Sequence, residues 1–128
     1  MSAAHFGLSN LCAVVDVNDM QVDGATTSVM NMGDIAAKWR AFGWDVVQAD
    51  GHDMASLVQA IDGLPPTDSD RPTVVVCETV KGKGVDFMER NLAWHAGSLG
   101  AADLERAMAA LETSRNESRK NSRKKETV

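Results

Sequence analysis

Apolar residues in this chain follow two patterns: short unbroken runs, and longer stretches with helical spacing. Leu11-Cys12-Ala13-Val14-Val15-Asp16-Val17 and Thr73-Val74-Val75-Val76-Cys77-Glu78-Thr79-Val80 are of the first kind. Runs of this length suit strands buried on both faces of a parallel sheet. Trp44 to Ala49 predicts a third strand, followed by a turn at Asp50-Gly51-His52. Between the strands the spacing turns helical. Ile35, Trp39 and Phe42 form one stripe behind Asp34, a good cap, and Gly43 is a natural left-handed terminator. Met54, Leu57, Val58, Ile61 and Leu64 share a face behind Asp53, and Gly63-Leu64-Pro65-Pro66 ends that helix. Ser2 to Leu8 reads as the last turns of a helix, Asn18 to Gly24 as a loop ending in a turn, and Leu104, Met108 and Leu111 mark a final amphipathic helix.

Strands alternating with helices imply an α/β fold: a parallel sheet with helices on both faces. The body is expected over residues 1–113. From Ser114 the chain is rich in Ser, Asn, Lys and Arg, so residues 114–128 are expected to be a basic tail, disordered or a frayed helix extension.

Charge sharpens that division. The net charge is −5 over 128 residues. Six of the thirteen Lys/Arg and two of the eighteen Asp/Glu lie after Thr113, which leaves seven bases against sixteen acids in the body. An acidic body is a poor match to nucleic acid, which is bound through basic surface. No apolar run is long enough for a membrane span, and the first residues lack the pattern of a signal peptide. Cys12 and Cys77 both lie in strand-like runs and are expected as buried free thiols, in keeping with a reducing, cytoplasmic setting.

In an open parallel sheet, ligands bind beyond the carboxyl ends of the strands. That rule selects Asp16 to Gly24, Asp50 to Asp53 and Val80 to His95. Asp16, Asn18 and Asp19 offer hard oxygen donors suited to Mg²⁺, although Asx residues after a strand are ordinarily turn formers. Lys81-Gly82-Lys83-Gly84 could approach a phosphate or be a solvated loop, and it is no P-loop. His95 follows a strand end, where an imidazole can act as a donor or proton carrier or simply pin the loop. His52 reads as a turn residue.

Taken together, these segments resemble one family. Val15-Asp16-Val17-Asn18-Asp19-Met20-Gln21-Val22-Asp23-Gly24 resembles the end of the thiamine-diphosphate motif of transketolases. Lys38 to Trp44 with Asp50-Gly51-His52-Asp53, then Thr79-Val80-Lys81-Gly82-Lys83-Gly84-Val85, then Trp94-His95, are similar to later segments of the same family in the same order. The match covers roughly residues 3 to 113, and the Lys-Gly-Lys-Gly segment and short ending look most like the N-terminal subunit of split transketolases.

The resemblance implies part of a thiamine-diphosphate-binding fold. It also implies transfer of a two-carbon ketol unit between sugar phosphates, as in pentose phosphate metabolism, with thiamine diphosphate and Mg²⁺ as cofactors. Asn18 matches the side-chain ligand of Mg²⁺ that also touches the diphosphate. Met20 matches the position giving its backbone carbonyl to the metal. His95 matches a histidine contacting the diphosphate and the sugar. The implied partners are a sugar phosphate and a complementary subunit carrying the pyrimidine-binding domain, in a dimer or larger oligomer.

The family's Gly-Asp-Gly, which brings a second metal ligand, has no counterpart here; Ala49-Asp50-Gly51 is the nearest string and lies downstream of Asn18. The expectation is therefore a partial, truncated diphosphate-binding domain that is inactive alone. The alternatives are a fragment of another thiamine-diphosphate enzyme, such as a 1-deoxyxylulose-5-phosphate synthase or the alpha subunit of a 2-oxo acid dehydrogenase, and a noncatalytic remnant that binds a partner.

Overall fold

The structure is a computed structural model and describes residues 1–125, with side chains as far as residue 116. It divides into two compact units, one from Met1 to Thr79 and one from Val80 onward.

The first unit runs α1 (Ser2–His5), β1 (Cys12–Val17), β2 (Met20–Gln21), β3 (Gly24–Ala25), α2 (Thr26–Val29), α3 (Ile35–Ala41), β4 (Asp45–Asp50), α4 (Met54–Asp62) and β5 (Thr73–Glu78). The main sheet has the order β1-β5-β4, and both pairings are parallel. Cys12 and Asp45 both align with Thr73, and Val17 and Asp50 both align with Glu78. The three carboxyl ends are therefore level, and the segments leaving them start from one rim.

Alternating side chains divide the core into two clusters. On one face Val74 and Val76 of β5 pack with Trp44, Val46, Ala13, Val15 and Val17, under Ala3 and Ala4 of α1 and Trp39 of α3. On the other face Val75 and Cys77 pack with Val47 and Ala49, under Leu57 and Ala60 of α4. Helices thus cover both faces, as the alternation of elements implies. The expected caps are present. Asp34 Oδ1 accepts from the Ala37 N–H at 2.8 Å, Asp53 Oδ1 from the Ala55 N–H at 3.0 Å, and Gly43 leaves α3 at φ 84°.

Three expectations need correction. Strand β1 is an edge strand rather than a central one: α4 stops over β4 and β5, so Cys12, Val14 and Asp16 on that face are exposed. Cys12 is accordingly an exposed free thiol, whereas Cys77 is buried as expected. On the helices, Phe42, Met54, Val58 and Ile61 face outward, and the buried stripe of α4 is Leu57 and Ala60, continued by Leu64. The small Ala60 lets α4 lie close to the sheet, which turns its larger neighbours away.

The second unit holds a looped segment from Lys81 to Asn91, a single 3-10 turn at Leu92–Trp94, and the helix α5 (Ala101–Lys125). The helix continues through residues 114–125. Residues 126–128 of the expected tail lie outside the described residues. Among the described residues no helix is long and apolar enough to cross a membrane.

Candidate functional site

The chain leaves β1 at Val17 and reverses at once. Asn18 Oδ1 accepts from the Met20 N–H at 3.0 Å, and Asp19 sits between them at φ 61°, a left-handed conformation that Asx residues tolerate better than most. Met20 and Gln21 then pair antiparallel with Ala25 and Gly24, and the Thr26 N–H closes the hairpin onto the Asp19 carbonyl at 2.9 Å. Beyond it, Gln21 Nε2 donates to the Met30 carbonyl at 3.0 Å, which ties the arm after α2 back to the hairpin.

These elements enclose a cleft of about 360 Å³ at the carboxyl end of β1. Asp16, Asn18, Asp19 and Met20 line one side, and Thr26, Thr27, Asn31, Gly33 and Ile35 the other. Asn18 and Met20 are thus brought together. Thr26, Thr27 and Asn31 were missed by sequence reasoning. Their one signal is Thr26-Thr27-Ser28, followed after Val29-Met30 by Asn31, shortly before a capped helix, which does not differ from ordinary loop composition.

The rim has a second anchor. The Thr79 N–H donates to the Val17 carbonyl at 3.0 Å, and Thr79 Oγ1 donates to Asp16 Oδ1. At the β4–α4 turn the Gly51 N–H donates to the Glu78 carbonyl at 2.8 Å, and a Cβ on Gly51 would collide with the Thr79 methyl. Only glycine fits there. In that turn Asp50 Oδ1 accepts from the His52 N–H at 2.8 Å. Burial pushes the Cys77 thiol up, and the nearby Asp16 carboxylate adds to the rise.

The donors in this cleft suit a hard cation only in part. An amide oxygen has two lone pairs, and the Met20 N–H occupies one of those on Asn18. The Asp19 carbonyl is taken by Thr26. Among the described residues no group of three or more His, Cys, Asp or Glu side chains could hold a metal. The Asn18 amide oxygen keeps one lone pair, a sparse contribution of the kind compatible with Mg²⁺, which commonly leaves most of its octahedron to water and phosphate.

His95 belongs to the second unit. Its backbone N–H donates to the Leu92 carbonyl at 2.9 Å at the end of the 3-10 turn, and the residue is exposed. Asn91 Oδ1 starts that turn by accepting from the Ala93 N–H at 3.0 Å, and Trp94 packs edge-on against Phe87 at 5.4 Å. The Lys81–Gly84 segment is internally tied. The Arg90 N–H donates to the Lys81 carbonyl at 2.9 Å, and Lys83 pairs with Glu89 at 3.6 Å. The Gly84 N–H donates to Glu89 Oε1 at 3.0 Å, and this bond, with help from Lys83, holds the Glu89 carboxyl below its usual range. One glycine amide that the spacing left open to a phosphate is thus directed at the loop's own glutamate.

Comparison with known proteins fits this geometry. Residues 1–120 match the family described as transketolase, thiamine diphosphate binding domain. An apulose-4-phosphate transketolase subunit of Phocaeicola vulgatus is 34% identical over 108 residues, which are 84% of this chain and 38% of that protein. The 6-deoxy-6-sulfo-D-fructose transketolase subunit SqwG of a Clostridium species is 37% identical over 105 residues, 82% of this chain and 38% of that one. A Pichia stipitis transketolase solved with sedoheptulose 7-phosphate superposes with a TM-score of 0.75 at 28% identity, over 87% of this chain and 16% of that one. The chain belongs to the transketolase family, in its thiamine-diphosphate-binding domain. It spans about two fifths of the length of these two transketolase subunits.

Proposed function

We propose that this chain supplies part of the diphosphate-binding side of a split-type transketolase, which moves a two-carbon ketol unit between sugar phosphates. The observation carrying this reading is the Asn18–Met20 hairpin, set at the level carboxyl ends of a parallel sheet in a chain of this family. Relatives that are themselves named as transketolase subunits support a complementary subunit, carrying the pyrimidine-binding side, as the partner in an oligomer. Two free thiols suit a reducing, cytoplasmic setting.

Thiamine diphosphate, when bound, supplies the carbon nucleophile that accepts and passes on the two-carbon unit. Asn18 would hold Mg²⁺ through its amide oxygen and Met20 through its backbone carbonyl, and both would help to orient the diphosphate. The Asx turn restrains both donors before the ligand arrives, which lowers the ordering cost of binding. His95 would donate a hydrogen bond to the diphosphate or a sugar hydroxyl and take part in proton transfer there. Its place on a segment that follows a strand end supports that role.

Because the pyrimidine-binding side is read as lying on a complementary subunit, the isolated chain is expected to be inactive. The test is turnover of xylulose 5-phosphate with ribose 5-phosphate, with Mg²⁺ and thiamine diphosphate, by the chain alone and after addition of the missing parts of the enzyme. Activity only in the mixture is expected. Full turnover by the pure chain sinks the proposal.

A further inference from the structure

We infer that Thr79 is a positioning residue for the Asn18–Met20 hairpin and acts on it through Asp16. The inference rests on the reading of that hairpin as the holder of the metal and diphosphate. Thr79 stands one residue beyond β5, level with the start of the hairpin. It grips β1 twice: its N–H bonds the Val17 carbonyl at 3.0 Å and its hydroxyl bonds the Asp16 carboxylate. Both acceptors lie within two residues of Asn18. From the other side Gly51 closes on the Thr79 methyl, leaving no space for a Cβ, so the threonine is fixed on both flanks.

The two grips differ in kind. The N–H bond extends the sheet ladder and would be made by any residue at this position. The hydroxyl bond is specific to Thr or Ser. It holds the last outward side chain of a strand that, among the described residues, pairs on one side only. Without it, the end of β1 rests on ladder bonds along one edge only. The hairpin would then keep its fold but lose a fixed starting direction, and with it the aim of the Asn18 amide oxygen.

Thr79→Val keeps the shape against Gly51 and removes the donor, whereas Thr79→Ser keeps the donor and removes the methyl. Amide hydrogen exchange by NMR on the full chain reads the difference directly, because the Met20 N–H reports its bond to Asn18. In Thr79→Val the Met20 amide should exchange about tenfold faster while Val75 and Val76 keep their protection, as expected for loss of one hydrogen bond in a local opening. Thr79→Ser should exchange as the parent does. An unchanged Met20 amide in Thr79→Val overturns the inference. So does a uniform acceleration across β5 with a lower melting temperature, the mark of a merely structural threonine.

Should Thr79→Val not fold, Asp16→Ala and Asp16→Asn ask the same question from the acceptor side. Selective opening of Met20 in the first and not in the second supports the inference; opening in neither overturns it. Mn²⁺ with thiamine diphosphate separates this from the functional reading. Selective broadening of the Asn18 and Met20 resonances in the reconstituted enzyme belongs to the cofactor site. If that broadening fails while Thr79→Val still opens Met20, the functional reading falls and the positioning role stands.

Discussion

Among the described residues strand β5 lies between two neighbours, and its Val74, Val75, Val76 and Cys77 are at most 4% exposed, whereas β1 has one neighbour, and its Val14 is 65% exposed. Both strands come from apolar runs of similar length and composition, and both end at the same rim. The difference teaches that a continuous apolar run reports the burial a strand is built for, while its position in the sheet decides the burial it receives. It also separates two jobs. β5 carries the core of the first unit, and β1 carries the candidate site on a strand held from one side.

The sharpest way to break this comparison is to place a charge in each strand. Val75→Asp puts a carboxylate between the Cys77 and Ala60 layers and should cost several kcal/mol, enough to unfold the first unit. Val14→Asp should stay within about 0.5 kcal/mol, as for exposed substitutions. Urea titration of both variants is the check. Equal losses would mean that the face of β1 is covered in solution.

The segments that follow the two strands extend the contrast. His95, on the segment after β5, should reveal itself in turnover rather than binding. In the reconstituted enzyme His95→Gln is expected to lower kcat roughly 100-fold, the usual range for acid–base residues, with a smaller change in cofactor affinity. A lower melting temperature with unchanged kcat per folded site would reduce His95 to a loop anchor.

The two thiols sharpen the comparison at smaller cost to the fold. Cys12 is exposed on β1, whereas Cys77 is buried on β5 with its thiol pushed up by burial and by Asp16. Under native conditions near pH 8 a disulfide reagent should modify Cys12 at least about tenfold faster, because the thiolate is the reactive form and must be accessible. Equal rates would contradict the assignment of β5 as the central strand.

The smallest effect concerns Glu89. Its folded-state carboxyl lies below the ordinary value of 4.5, chiefly through the Gly84 N–H, so its contribution is present above that value and is lost as pH falls through the lower folded one. The Gly84 amide resonance should therefore shift on acidification below about pH 4.5, and Glu89→Gln should abolish the shift. A midpoint at or above the ordinary value would remove the Gly84–Glu89 bond from solution.

Much of the fold was legible because its signals are local. Asp34 and Asp53 cap where their side chains predict, Gly43 ends α3, and the three strands fall within a residue or two of their apolar runs. What failed was relational. Nothing in Leu11 to Val17 tells an edge from a centre, and nothing in Met54 to Leu64 tells which of five apolar residues Ala60 would carry inward. In the candidate site, Asn18 and Met20 were expected from the strand-end rule and the family resemblance, and both line the cleft. Thr79 and Gly51 matter through contacts with residues far away in sequence, which periodicity does not record.

Titration of thiamine diphosphate in the presence of Mg²⁺, on reconstituted enzyme carrying Asn18→Ala or Met20→Leu, tests the central claim most directly. Asn18→Ala removes a donor atom and the acceptor for the Met20 N–H, and should weaken binding by on the order of a few kcal/mol through loss of a metal ligand. Met20→Leu keeps the backbone carbonyl and should bind within about threefold of the parent, as for a substitution that touches no ligand atom. Equal losses in the two variants, or none in either, would contradict the placement of the metal and diphosphate at this hairpin.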